Sequence, residues 1–351
     1  MTATATQDEI DKFHLEVGDV IITKDSESWD DIGSPAYVEE TADDFVCGYH
    51  LAILRANNTT LDGRYLFRCF QSRPVLLQLE LEATGITRYG LSIGTIGNVV
   101  LPLPSIQTQR LIAGYLDRET ARIDALIAEK ERMLALLEEK RTALISNAVT
   151  RGLNPNAPLK PSGLDWLGEI PEQWEIKKLK YITTLKSGET ITADSISEEG
   201  QYPVYGGNGL RGYSTEYTHN GDYVLIGRQG ALCGNINYAS GIFWASEHAV
   251  VVTIQGSSDV FWLGELLRLM NLNQYSLSAA QPGISVEVVE NLKIPVPPIS
   301  QQGELSTYMK NETQSIDIVR SGIAETIVLL KERRAALITA AVTGKIPIEE
   351  M

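Results

Sequence analysis

A chain of 351 residues with 30 Lys+Arg against 45 Asp+Glu carries a net charge of −15, which argues against a general nucleic-acid coat protein. An apolar fraction of 43% is ample for real cores, and the length predicts two or three domains. No apolar run reaches membrane-spanning length and no signal-peptide pattern opens the chain, so a cytosolic protein is expected.

Cys47, Cys69 and Cys233 are isolated, form no CxxC pair and imply a reducing compartment with buried or inert thiols. The four histidines are equally scattered and give no metal-ligand spacing.

In chain order, residues 1–12 are polar and read as a frayed end. A strand signal follows Gly18-Asp19 at Val20-Ile21-Ile22-Thr23-Lys24. The acidic stretch Asp25 to Asp44 reads as a loop, Phe45 to Leu54 as strand-like, and Tyr65 to Leu81 as a helix broken at Pro74. Thr84 to Gly90, which includes Arg88, is a turn-rich loop. Residues 152–164, with three prolines, read as a linker. Beyond it come Trp166-Leu167-Gly168-Glu169-Ile170-Pro171, Trp174, and short strands around Tyr202–Tyr205, Tyr223–Gly227, Ile242–Trp244 and Ala249–Val252. Phe261 to Met270 reads as a helix.

One stretch occurs twice. Gly90 to Thr150 returns without a gap 193 positions later, from Gly283 to Thr343. Each copy runs from a Gly-x-Ser turn (Gly90-Leu91-Ser92, Gly283-Ile284-Ser285) through a Pro-marked strand and a glutamine, Gln109 or Gln302, into a long helix. The Pro pairs fix where each helix can begin. Apolar residues then fall at steps of four and three: Ile112, Leu116, Ile123, Leu126, Met133, Leu137 and Leu144, and Leu305, Met309, Ile316, Val319, Ile323, Leu330 and Leu337. That narrow seam predicts two coiled-coil helices, each about 60 Å long, packed on each other. Ahead of the repeat both halves share an order: Gly-Asp, strand, strand-end cation (Lys24 or Arg228), apolar strand, helix.

Taken together, these features resemble the specificity subunit of type I DNA restriction–modification systems. The motifs that carry the resemblance are Trp166 to Pro171 with Trp174, Tyr205-Gly206-Gly207-Asn208-Gly209, Gly227-Arg228-Gln229-Gly230, the two helix entries, and the helix ends Ala148-Val149-Thr150-Arg151-Gly152 and Ala341-Val342-Thr343-Gly344-Lys345-Ile346. The resemblance covers nearly the whole chain. It implies an α+β protein with two globular, mostly β target-recognition domains, joined and held apart by an antiparallel pair of long helices. It also implies a bipartite double-stranded DNA site, a helical ruler between its halves, docked adenine-N6 methyltransferase subunits, and restriction/translocase subunits. The expected organisation is a first recognition domain at 1–104, a helix at 105–151, a linker at 152–164, a second recognition domain at 165–298 and a second helix at 299–345. About fifty residues separate Trp166 from Gly221-Asp222, whereas 17 precede Gly18, so the first domain reads as short at its start.

Gly207-Asn208-Gly209-Leu210-Arg211-Gly212 fits GxGxxG, but more strand signal follows it rather than a helix, which argues against a dinucleotide site. Two readings stay open: a structural hairpin loop, or a loop whose side-chain-free glycines let Asn208, Gly209 and Arg211 approach DNA, where Arg suits guanine and Asn adenine. Arg228-Gln229 and Lys24 are further candidates, with exposed strand-end cations as the plain alternative. Lys177, Lys178, Lys180 and Lys186 read as phosphate contacts or as a solvated face. Lys186 and Arg88 join the candidate DNA-contacting set. Trp244, Tyr205 and Tyr238 read as core. No methyltransferase motif, phosphate-binding GxxxxGK[ST] loop or cofactor site is found, so a non-catalytic subunit is expected. The rival readings are a coiled-coil scaffold whose globular ends bind protein, which the acidity favours, and an inactive remnant.

Overall fold

The computed structural model describes residues 6–230, 232–276 and 283–351. The chain divides into two compact units, one of residues 1–134 with 321–351 and one of residues 135–320.

The first unit opens with α1 (Gln7–Phe13), which the side chain of Thr6 caps. Its sheet is built from β1 (Val20–Thr23), β3 (Pro35–Tyr37) and β4 (Leu51–Leu54) in the order β3-β1-β4, and β2 (Asp25–Ser26) pairs separately. Burial alternates along β1. Val20 and Ile22 lie fully inside, against Tyr65, Leu66, Cys69 and Phe70, while Ile21 and Thr23 are half-buried or lie at the edge of the core. This is the pattern of a sheet covered on one face. The stretch from Asp25 to Asp44 therefore differs from the expected plain loop. β3 lies within it, placed at the sheet edge where Pro35 can sit without breaking a ladder.

Two helices, α2 (Gly63–Phe70) and α3 (Arg73–Glu82), replace one broken helix, and Pro74 stands in the first turn of the second. β5 (Tyr89–Gly90) pairs with β2, and α4 (Ile93–Gly97) leads to the long helix α5 (Ile106–Arg151).

In the second unit, β6 (Leu159–Pro161) pairs with β7 (Glu169–Pro171), so the proline-rich linker carries a strand. After β8 (Glu175–Lys178), β9 (Thr183–Ser187), β10 (Tyr202–Gly206), β11 (Gly209–Ser214) and β12 (His219–Asn220) come β13 (Tyr223–Gly227), β14 (Ile236–Ala239), β15 (Ile242–Ala245) and β16 (Ala249–Ile254). Strands β9 to β16 form two four-stranded sheets, β14-β13-β16-β9 and β11-β10-β15-β12, and β8 lies outside both. Val224, Ile226, Val250 and Val252 face a core shared with Trp262, Leu266 and Met309, whereas Leu225 and Val251 face Phe243 and Ala245 of the other sheet. Covering on both faces is why these strands read as unbroken apolar runs. The unit is completed by α6 (Val260–Leu269), α7 (Val286–Glu290), β17 (Lys293–Val296) and the start of α8 (Ile299–Val342).

At 46 and 44 residues, α5 and α8 are each close to 70 Å long (about 1.5 Å per residue). They run antiparallel within each unit. In the first, Ile112, Ala113 and Leu116 pack with Ile338, Ala341 and Val342. In the second, Ile145, Ala148 and Val149 pack with Leu305 and Met309.

The seam departs from the expected one at three positions. Leu126, Met133 and Val319 are 47%, 36% and 50% exposed, and the line passes instead through Ile127, Leu134 and Arg320. Selecting the most apolar residue at each step misplaces it. The aliphatic stem of Arg320 can fill a seam position while its guanidinium pairs with Glu138 at 2.9 Å.

Both helix entries use the same lock. Gln109 is fully buried; its Nε2 donates to the Pro104 carbonyl at 2.9 Å and its Oε1 accepts the Asp62 N–H at 2.9 Å. Gln302 does the same with Pro297 and Asp259, at 2.9 and 3.0 Å. Asp62 and Asp259 in turn cap α2 and α6 with their carboxylates. Each long helix is thereby fastened to the cap of the helix in its own globular body.

Candidate functional site

The strand-end cations sit in one backbone frame that occurs twice. In the second unit the Arg228 N–H donates to the His248 carbonyl at 2.9 Å, and the Arg228 carbonyl accepts the Ile284 N–H at 3.0 Å. In the first unit the Lys24 N–H donates to the His50 carbonyl at 2.8 Å, and the Lys24 carbonyl accepts the Leu91 N–H at 2.9 Å. The cation therefore leaves the sheet where the central strand, the apolar strand and the Gly-x-Ser turn meet.

The GxGxxG segment is a hairpin. Gly207-Asn208 turns β10 into β11, with Gly206 and Gly209 paired. A side chain at Gly227 would put Cβ 2.5 Å from the Gly207 carbonyl oxygen, and one at Gly207 would lie 2.9 Å from the His248 carbonyl oxygen. Glycine at both positions lets the hairpin tip press on the end of β13. The result is an open groove lined by Gly207, Asn208, Gly209, Leu210, Arg211, Gln229, Leu232 and His248. Asn208 Oδ1 accepts from Asn235 Nδ2 at 3.1 Å, which fixes the amide orientation at the tip.

Four of the expected residues, Asn208, Gly209, Arg211 and Gln229, therefore share one groove. Arg228 stands beside it, joined through the His248 carbonyl, and is not among the lining residues. Lys186 is exposed on β9, two strands from β13, and does not line the groove either. In the first unit, Lys24 pairs with Asp25 at 3.5 Å, Asp25 approaches His50 Nδ1 at 3.6 Å, and Arg88 Nη2 lies 3.4 Å from His50 Nε2. Lys24 and Arg88 thus gather around one imidazole.

Three of the other lysines are engaged locally. Lys177 pairs with Glu175 at 2.6 Å, and Lys178 and Lys180 both donate to Asn291 Oδ1, at 3.3 and 3.0 Å. Tyr205 packs edge-on against Phe243, and Tyr238 donates to Glu265 at 2.9 Å. Trp244 is only half-buried, with its Nε1 donating to the Glu189 carbonyl at 3.1 Å. Cys69 and Cys233 are buried and Cys47 is half-buried, and burial pushes the Cys69 thiol up to about 12. No helix among the described residues is long and apolar enough to cross a membrane.

Sequence reasoning missed His248 and His50. They are 198 residues apart, off the 193-residue register, so the gap-free repeat does not align them.

Two copies of one frame, each with a globular body and an antiparallel stretch of paired helix, define a duplicated α+β coiled-coil protein. Residues 171–328 match the family model described as the type I restriction modification DNA specificity domain. Over 153 residues the chain is 45% identical to the type I restriction enzyme EcoprrI specificity subunit of Escherichia coli, a match covering 42% of this chain and 37% of that protein. It is 23% identical over 327 residues to the MjaVIII specificity subunit of Methanocaldococcus jannaschii, covering 85% of this chain and 73% of the other. Among solved structures, a chain from a type I R-M system complex superposes with a TM-score of 0.77 at 19% identity, over 94% of this chain and 82% of that one. The HsdS subunit from Thermoanaerobacter tengcongensis gives 0.56 at 19% identity, over 95% and 82%. The chain is thus similar to type I restriction–modification specificity subunits, and its residues 171–328 match their DNA specificity domain.

Proposed function

We propose that this chain is the DNA-reading subunit of a type I restriction–modification complex. The body within residues 1–104 reads one half of a bipartite duplex site and the body within 165–298 reads the other. The helices 105–151 and 299–345 set the spacing between the halves, and 152–164 connects the copies. Adenine-N6 methyltransferase subunits and restriction/translocase subunits assemble on the chain in the cytoplasm and supply the chemistry, and the chain itself catalyses nothing.

The observation that carries this reading is the repeated frame around Lys24 and Arg228, a constant scaffold whose surrounding loops differ between the copies. Such a frame suits two readers of different targets. The groove beside Arg228 offers an amide, a guanidinium and a second amide (Asn208, Arg211, Gln229), the side-chain types that pair with purine edges in the major groove. With a net charge of −15, affinity must come from a few focused cations and from the partner subunits rather than from the whole surface.

Duplex filter binding with the methyltransferase subunits present tests the reading. Retention of a defined sequence over its scrambled form is expected. Equal retention of both would favour a protein-binding scaffold instead.

A further inference from the structure

We propose that His248, and its counterpart His50 in the first unit, are sequence-reading residues, each accepting a hydrogen bond from the amino group of an adenine or cytosine. This rests on the DNA-reading assignment above and extends it to two residues that the repeat itself does not align.

Position is the first argument. His248 stands on the groove wall with Asn208, Arg211 and Gln229, and its carbonyl holds the Arg228 N–H. His50 holds the Lys24 N–H in the same way, so each imidazole springs from the residue that anchors a strand-end cation. The turn Glu247-His248 opens β16, and His50 directly precedes β4. Despite unrelated flanking sequence, the two histidines occupy one place in the frame.

The second argument is chemical. Each ring is half-exposed and has a carboxylate beside it: Glu247 Oε1 lies 3.1 Å from His248 Nε2, and Asp25 Oδ2 lies 3.6 Å from His50 Nδ1. In the neutral ring a carboxylate accepts, so Glu247, within hydrogen-bond distance, selects the His248 tautomer protonated on Nε2, and Asp25, just beyond that distance, favours the His50 tautomer protonated on Nδ1. The opposite nitrogen is left as an acceptor, Nδ1 in His248 and Nε2 in His50. Arg88 Nη2 lies 3.4 Å from the latter, as a donor would, and a base amino group takes its place there. In the major groove the exocyclic amino groups of adenine and cytosine are the donors that such a nitrogen can meet. Arg211, a pure donor, complements it by selecting guanine acceptors in the same groove.

The test is selection from a random duplex library by the full chain in complex with its methyltransferase subunits, followed by sequencing. The unaltered chain is expected to enrich a two-part motif. His248→Ala should keep one part intact and lose preference at one adenine or cytosine position of the other by about tenfold, the discrimination that one neutral hydrogen bond supplies. His248→Asn, which places an acceptor near the Nδ1 position, should retain much of that preference. His50→Ala should alter the opposite part. Thermal melting of each variant, expected to match the unaltered chain because both rings are half-exposed, separates readout from folding.

An unchanged motif with His248→Ala would overturn the proposal while leaving the DNA-reading assignment standing, as would loss at the same half-site from both alanine variants. Failure of the unaltered chain to enrich any motif would instead overturn the assignment itself.

Discussion

Arg334 Nε lies 2.8 Å from Asp124 Oδ1 across the helix pair of the first unit, and Arg141 Nε lies 3.9 Å from Asp317 Oδ1 across that of the second. Each arginine and each aspartate is 193 residues from its counterpart, so this is one interaction made twice, the arginine of one repeat meeting the aspartate of the other. Only an antiparallel pairing of two related helices produces that reciprocity. The pair is half-exposed, so its coupling should be modest, about 0.5–1 kcal/mol. A double-mutant cycle with Asp124→Asn and Arg334→Gln, read by urea unfolding, should return that value, and Asp124→Arg should cost more than Asp124→Asn. A coupling of zero would mean that the pair has no part in setting the register.

The buried glutamines should matter more than the surface pair. Gln302→Leu removes the donor to the Pro297 carbonyl and the acceptor for the Asp259 N–H, both buried or partly buried. Leaving these groups unpaired should cost about 2–3 kcal/mol. Gln109→Leu, which also loses a bond to the Thr60 carbonyl, should cost at least as much. Equilibrium unfolding of the two variants measures both, and a cost below 1 kcal/mol in each (about the net worth of a single ordinary hydrogen bond) would show that the lock at the helix entries is dispensable.

Gly227→Ala is expected to impair one half of the recognised sequence more than the other. Its Cβ would press on the backbone carbonyl of Gly207 and push the hairpin tip, with Asn208 and Arg211, away from the groove. Gly303, where a Cβ would meet nothing within 4 Å, serves as the control. Comparing the selected motifs of Gly227→Ala and Gly303→Ala checks this, and identical motifs would contradict the placement of the groove.

Acid should weaken the first unit through Asp19. Burial raises its carboxyl pKa, but the Arg55 guanidinium, which grips it at 2.7 and 2.8 Å, and the Glu16 N–H outweigh that and hold it below the usual carboxylate value. A carboxyl with a depressed folded pKa stabilises the fold above its unfolded value of about 3.9, and that contribution is lost as pH falls through the folded value. Asp19→Asn should therefore lower stability at neutral pH and flatten its decline below about pH 4. Melting curves across that range decide the point, and parallel declines in the two proteins would count against it.

Much of the architecture was legible in the sequence because it was written twice. The 193-residue repeat, its Pro-marked helix entries and the apolar steps announce paired helices, and the Gly207-Asn208 turn reads as a hairpin from its residues alone. What escaped did so for physical reasons. β3 and β6 are three-residue strands bearing prolines, so composition hides them. Arg320 is half-buried where the apolar steps point to Val319, and its guanidinium pairs with Glu138, which a hydrophobicity pattern cannot register. Gln109 and Gln302 stood out as a motif, but their carbonyl and N–H partners are set only by the fold. The groove gathers residues from 207 to 248, and His248 enters it from a turn whose counterpart lies outside the repeat register.

The most direct test is a map of N6-methyladenine across the genome of a host that carries the cognate methyltransferase, with and without this gene. The account predicts that one two-part motif with a fixed gap is methylated only when the gene is present, and that a seven-residue insertion in both long helices widens the gap. Identical methylation maps with and without the gene would contradict it.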